Sequence, residues 1–145
     1  MNRAVHAFAA AAPVYEQAAR LQRQAALWLL DGVPAALPEE AWVADMGCGT
    51  GWLTHALGQR FPGSHVCGLD AAWPMTLRLR QRGLAAVTGD AARLPLAQNA
   101  FSLVTSSMAL QWLDHAWEVL QDWRRLLCPG GKVVAVFPVD GTLQE

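Results

Sequence analysis

Charged residues are scarce in this chain, and lysine is almost absent. Only 16% of the 145 residues are charged, ten arginines stand beside the single lysine Lys132, and the formal net charge is −1. With 53% hydrophobic residues, this composition excludes a disordered or collagen-like chain. Because no basic stripe is present, a nucleic acid is not an expected partner.

Cysteines are few, and long apolar runs are missing. The three cysteines, Cys48, Cys67 and Cys128, are odd in number and lack metal-ligand spacing. They argue against a disulfide framework or a metal site and favour a reducing cytoplasm. No signal-peptide pattern and no stretch of 18 apolar residues occur, so we expect no membrane span. The length predicts one domain.

The first predicted element is an amphipathic helix over residues 13–30, followed by a loop from Pro34 to Glu40. Pro13 suits the first helical position, and Asp31-Gly32 ends the helix. The spacing predicts an apolar face made of Val14, Ala18, Leu21, Ala25 and Trp28.

From residue 41 onward, strand-like and helix-like segments alternate. Helices are predicted from the glycines near residue 51 to Arg60, over 74–83, and continuously over 110–127, before a turn at 129–131. The predicted strands are 41–46, 65–69, 85–88, 101–106 and 132–137. Such alternation predicts an α/β fold whose mostly parallel sheet carries helices on both faces. A ligand crevice is then expected outside the carboxyl ends of the first and fourth strands.

A glycine-rich turn follows the first strand, with the sequence D-M-G-C-G-T-G at residues 45–51. Its glycines allow close approach to a ligand, and the next helix offers free N–H groups. The third glycine of a dinucleotide-binding G-x-G-x-x-G is replaced by Trp52. Asp45 can accept hydrogen bonds from an ammonium group or its water.

Two further acids follow the second and third strands. Asp70 can bind both hydroxyls of a ribose. Asp90 can accept from an adenine amine, while the Ala91 N–H donates to a ring nitrogen. Each acid alone could instead be a helix cap or part of an Asx-turn. Together with Asp45 they predict a site for S-adenosylmethionine (SAM).

These motifs resemble those of class I SAM-dependent methyltransferases over residues 41–137. The resemblance implies a Rossmann-like sheet of about five strands in the order 3-2-1-4-5, without the last two strands of that class. The segment S-S-M-A-L-Q-W at 106–112 is similar to the S-N-x-A-x-Q-W of malonyl-[acyl-carrier protein] O-methyltransferases of biotin synthesis. Residues 8–30 and 139–143 resemble the same family. Ser107 replaces its usual Asn, and Ala10 stands where an Arg is common.

The resemblance also implies roles for individual residues. Residues 1–40 would form a helical segment covering the cofactor site, where Tyr15 hangs over the methyl group, and residues 41–145 would form the SAM-binding domain. Gln111 and Trp112 would face the acyl substrate. The implied cofactor-binding residues are Asp45, Gly47, Cys48, Gly49, Gly51, Asp70, Ala71, Met75, Asp90, Ala91 and Ser106.

The implied reaction is methyl esterification of the free carboxylate of a malonyl thioester on an acyl-carrier protein, with S-adenosylhomocysteine (SAH) as the second product. A carboxylate is already ionised at neutral pH, so no general base is needed. Three alternatives stay open: another carboxyl methyltransferase such as the trans-aconitate type, an NAD-dependent oxidoreductase, or a SAM-binding fragment without activity.

Overall fold

A computed structural model describes residues 20–139 of the chain. Tyr15 and the first part of the predicted amphipathic helix lie outside the described residues. Within residues 20–139, four α-helices and five strands follow one another, with a 3₁₀ turn on each side of the last helix. The elements are α1 Arg20–Gly32, β1 Trp42–Met46, α2 Trp52–Arg60, β2 His65–Asp70, α3 Trp73–Gln81, β3 Ala85–Thr88, β4 Phe101–Ser107, a 3₁₀ turn Leu110–Trp112, α4 Ala116–Trp123, a 3₁₀ turn Arg124–Leu126 and β5 Leu127–Val136.

The five strands form one parallel sheet in the order β3-β2-β1-β4-β5. This confirms the predicted fold class and strand order. Side chains alternate across the sheet: Val43 of β1 packs with α1 and α2, whereas Ala44 and Met46 pack with the α4 side. Helices therefore cover both faces, and the strands are apolar because both of their sides are buried.

The order of the strands determines where a ligand can bind. β2 and β4 lie on opposite sides of β1, so the chain reverses its direction of winding at β1. The carboxyl ends of these three strands meet at Met46, Asp70 and Ser107. A crevice opens at such a reversal because the connections that leave neighbouring strands go to opposite faces.

The predicted continuous helix over 110–127 is wrong. The chain makes a 3₁₀ turn, is extended at Leu113 (φ −96°, ψ 132°), and begins α4 after His115, whose φ is 57°. Leu110, Val119 and Trp123 nevertheless share one core. Apolar residues recur at helical spacing here because the 3₁₀ turn at Leu110 and the helix α4 pack on the same face of the sheet.

Two smaller predictions also need correction. The turn predicted at 129–131 lies within β5, where Gly130 has φ 81° and the register with β4 shifts between Phe101 and Leu103. In α1, the predicted apolar residues Leu21 and Trp28 are exposed, at 45% and 58%; the buried face is formed by Ala25, Ala26 and Leu29. This face of α1 is buried because Leu29 packs against the sheet, in a cluster with Val43 and Leu103.

Candidate active site

The site begins with the glycine loop between β1 and α2. The backbone amides of Gly47 and Cys48 both donate to the Leu69 carbonyl oxygen, at 2.7 and 3.0 Å. Gly47 and Gly49 have φ values of 73° and 54°, in the left-handed region that favours glycine. A Cβ atom on Gly47 would collide with the Cβ of Ala109. Gly47 can therefore lie close to Leu69 of β2 and to Ala109, just after β4, only because it lacks a side chain.

Gly51 has a different role from the other loop glycines. It precedes α2 with φ 89°, and a Cβ atom on it would collide with Leu79 of α3. It is not among the residues that line the two cavities described below. Gly51 therefore has a packing role, because its lack of a side chain lets α2 lie against α3, and its cofactor contact stays a prediction.

Asp70 joins the loop to the end of β2. Its Oδ2 atom accepts from the Gly49 amide at 2.9 Å, and its Oδ1 atom accepts from the Ala72 amide at 2.8 Å. Burial raises the pKa of Asp70, while these two hydrogen bonds act in the opposite direction. The carboxylate is thus held in one orientation at the cavity wall.

Asp45 lies beneath the loop and is 1% exposed. Its Oδ2 atom accepts from the Thr54 hydroxyl at 2.7 Å, and its Oδ1 atom accepts from the Thr105 hydroxyl at 3.3 Å. Burial raises the pKa of Asp45 to about 6, against the effect of both threonines. A cation nearby would favour the ionised form, so the site suits a positively charged ligand.

A large cavity of about 530 Å³ lies over the carboxyl ends of β1 to β4. This is the predicted crevice, and its volume falls within the usual range for small-molecule sites. The predicted residues in its wall are Gly47, Gly49, Asp70, Ala71, Met75, Asp90, Ala91 and Trp112. Residues that the sequence analysis did not assign also line it, including Met108, Ala109, Leu113, Asp114 and Trp123.

One end of this cavity is formed by the loop after β3. Asp90 accepts from the Ala92 amide at 2.9 Å, an Asx-turn that leaves its second oxygen for a ligand. The indole N–H of fully buried Trp123 donates to the Ala91 carbonyl oxygen at 2.9 Å. Trp123 of α4 therefore holds this loop in place, a role that the sequence analysis did not indicate.

A second cavity of about 60 Å³ adjoins the first on the α1 side of the loop. Asp45 and Cys48 contribute to its wall, as does Arg23 of α1. Gly47, Gly49 and Ser107 line both cavities. The two cavities together make an elongated site that is narrow at the end near Asp45 and wide at the end near Asp90.

The two serines at the end of β4 have different surroundings, and the predicted cofactor contact of Ser106 stays a prediction. The hydroxyl of Ser106 donates to the Met46 carbonyl oxygen at 3.0 Å, and Ser106 is in the wall of neither cavity. Ser107 lines both. Consecutive strand residues point to opposite sides, so only one of the two serines can face the ligand. Alternation along β4 predicts that the two serines face opposite sides, but not which of them faces the cavity.

The predicted substrate residues separate in the same way. Trp112 is half exposed and lines the large cavity. Gln111 lines neither cavity; its amide nitrogen donates to the Met108 carbonyl oxygen at 2.9 Å. Met108 has φ 55°, and its own amide donates to the Val136 carbonyl oxygen at 2.7 Å. Gln111 thus supports the left-handed turn at Met108, and its contact with the substrate stays a prediction.

Cys48 is buried, and its side chain packs against Gly68. Burial raises the pKa of its thiol well above the usual range, so the thiol stays protonated and is a poor nucleophile. All three cysteines are free. Within residues 20–139, there is no cluster of three or more potential metal-ligating side chains and no helix long and apolar enough to cross a membrane.

Comparisons with known proteins match this geometry. A family model described as a methyltransferase domain matches residues 44–135. The chain belongs to this methyltransferase family. That range contains the glycine loop, Asp70, Asp90 and Ser107, so the family match covers most of the site.

Relatives of known name narrow the resemblance. The malonyl-[acyl-carrier protein] O-methyltransferase of Dechloromonas aromatica is 38% identical over 138 residues, which are 95% of this chain and 51% of that protein. The biotin biosynthesis bifunctional protein BioHC of Cellvibrio japonicus is 37% identical over 99% of this chain and 29% of its own length. The predicted resemblance is confirmed. The chain spans about half the length of the first of these relatives.

A solved structure supports both the fold and the cofactor. The SAM-dependent methyltransferase of Mesorhizobium loti is 29% identical, with a TM-score of 0.67 over 79% of this chain and 54% of that one. That protein is named as SAM-dependent, which agrees with the cofactor that the sequence motifs predict.

Proposed function

We propose that this protein transfers a methyl group from SAM to the free carboxylate of a malonyl thioester carried by an acyl-carrier protein, as a step in biotin synthesis. The observation that carries the proposal is the elongated site, in which a wide end and a narrow acidic end meet at the glycine loop and Ser107. The malonyl thioester is proposed as the substrate because the malonyl-[acyl-carrier protein] O-methyltransferase of Dechloromonas aromatica is 38% identical over 95% of the chain.

Each end of the site fits one part of SAM. Asp90 and Ala91 are placed to bind an adenine, and Asp70 is placed to bind the ribose hydroxyls. The narrow end offers the Asp45 carboxylate for an ammonium group and the Arg23 side chain for a carboxylate, which are the charges of an amino acid. Gly47 and Gly49, which line both cavities, have no side chains that would block the ligand.

When bound, SAM would supply an electrophilic methyl group. The acceptor oxygen would bond to the methyl carbon while the bond from that carbon to sulfur breaks, and SAH would be the second product. The residues of this chain contribute positioning and the exclusion of water. Trp112 and Leu113 line the open side of the large cavity, where an acyl chain would enter. Gln22, Arg23 and Ala26 of α1 line the narrow cavity, so this helix contributes to covering the cofactor site. We further propose that the reaction takes place in the cytoplasm, where three free cysteines persist.

Two experiments test the proposal. Isothermal titration with SAH should give a dissociation constant in the micromolar range, while NAD as the control should give no heat. With SAM and a malonyl thioester, mass spectrometry should then detect the methyl ester. Esterification of trans-aconitate but not of the thioester would overturn the substrate, and binding of NAD but not SAH would overturn the cofactor.

A further inference from the structure

The hydroxyl of Ser107 has no hydrogen-bond partner within the part of the chain that the structure describes, although its oxygen is buried. A buried hydroxyl without a partner is costly, and folded proteins rarely leave one unsatisfied. The turn at Met108 directs Ser107 inward. The turn is held because the Met108 amide donates to the Val136 carbonyl oxygen and the Met108 carbonyl oxygen accepts from the Gln111 side chain. A bound ligand is the natural partner of this oxygen.

The position of Ser107 identifies which part of the ligand it meets. Ser107 lies in the wall that the wide and narrow cavities share. With the adenosine in the wide cavity and the amino-acid end in the narrow one, the sulfonium centre lies between them, beside Ser107. The proposed function assigns the ammonium group to Asp45 and the carboxylate to Arg23, both of which line the narrow cavity. The groups left for the Ser107 oxygen are the sulfonium methyl and methylene groups.

We propose that the Ser107 hydroxyl oxygen accepts a weak C–H hydrogen bond from the sulfonium methyl group and thereby makes the site favour SAM over its product SAH. This inference rests on the proposed function. A positive sulfur polarises its methyl C–H bonds, so an oxygen beside them gains more from SAM than from a neutral thioether. With SAH bound, the same oxygen stays unsatisfied.

The test is isothermal titration of SAM and SAH with the unmodified protein and two variants. Ser107→Ala removes the oxygen, and Ser107→Cys replaces it with a weaker acceptor of similar shape. In both variants SAM should bind about threefold to fivefold more weakly. SAH should bind within about twofold of its original affinity, or more tightly, because an unsatisfied oxygen is removed.

The matched control is Ser102→Ala. Ser102 lies on the same strand, and its hydroxyl contacts the Cys128 sulfur at 3.6 Å, away from both cavities. The ratio of the SAM and SAH dissociation constants should not change in this variant. An effect on overall stability would weaken both ligands together, whereas the proposed contact changes their ratio.

The outcomes separate this inference from the proposed function. If the unmodified protein binds neither ligand, both proposals are overturned. If it binds both and the Ser107 variants weaken SAM and SAH equally, or leave both unchanged, only the role of Ser107 is overturned. A ratio that shifts against SAM in the Ser107 variants and not in Ser102→Ala supports the contact with the methyl group.

Discussion

The Asp70 carboxylate accepts a hydrogen bond from the backbone amide of Gly49 at 2.9 Å, although 21 residues separate them. One acid at the end of β2 thus shapes the glycine loop after β1 and also faces the large cavity. Ligand binding and loop conformation therefore depend on the same side chain.

Replacing Asp70 should weaken the cofactor site strongly. Asp70→Asn keeps one acceptor oxygen but places an NH₂ group against a backbone amide, either Gly49 or Ala72, since both donate to the carboxylate. We expect SAH to bind at least tenfold more weakly by titration calorimetry. The exposed Asp31→Asn at the end of α1 is the control and should bind SAH normally. Normal affinity in Asp70→Asn would show that the loop does not depend on this acid.

Asp45 should make the protein less stable as the pH rises. Its pKa is about 6 in the folded protein, against 3.8 as the ordinary value, so the folded state holds the proton more tightly. The stability that this proton contributes is complete below about pH 4 and is lost as the pH rises through about 6. The Asn side chain in Asp45→Asn cannot ionise. The free energy of unfolding of this variant should therefore exceed that of the unmodified protein by up to about 3 kcal/mol at pH 7 and differ little from it at pH 4.

Urea denaturation of both proteins from pH 4 to pH 7 measures this difference. Subtracting one stability curve from the other removes the contributions of groups that the two proteins share. A difference that is the same at every pH would contradict the buried, proton-linked role of Asp45. The same variant should bind SAH more weakly, because the negative charge of the narrow cavity is lost.

Gly47→Ala should damage both folding and binding. Gly47 has φ 73°, and an added Cβ would collide with Ala109. We expect a loss of stability of at least about 1 kcal/mol and weaker SAH binding, measured by thermal unfolding and calorimetry. Gly58→Ala is the control: Gly58 lies within α2 and has nothing within 4 Å of an added Cβ. It should raise stability by about 0.5–1 kcal/mol.

Trp123→Phe should affect the adenine end of the site. The variant loses the hydrogen bond from the indole to the Ala91 carbonyl and leaves a void in the core. We expect a stability loss of about 1–3 kcal/mol and a several-fold weaker affinity for SAH. Trp117→Phe, at a position that is 69% exposed, should change neither quantity. SAH affinity that is unchanged in Trp123→Phe would show that the Ala91 loop keeps its shape without the indole.

The fold class and the strand order were predictable because they follow from local patterns. Short apolar segments separated by glycine turns and amphipathic helices allow few arrangements other than a parallel sheet. The positions of Asp45, Asp70 and Asp90 at the edge of the sheet were predictable for the same reason. Asp45 and Asp70 lie at the ends of recognisable strands, and Asp90 follows a strand by two residues.

Other site features depended on contacts between distant segments. Nothing local distinguishes Ser106 from Ser107 until the sheet determines which side of β4 faces the cavity. Likewise, the Trp123 indole reaches the Ala91 carbonyl oxygen across 32 residues. Residue types and their spacing do not carry this information.

By itself, the sequence determined a parallel α/β sheet with a glycine loop and three acids at the ends of its strands, because hydrophobic periodicity and glycine's freedom of backbone conformation act over a few neighbouring residues. The tertiary structure alone decided which side chains reach the ligand and which acid is deeply buried. Those properties arise where β1, β2 and β4 meet, and they depend on packing and desolvation by residues far apart in the chain.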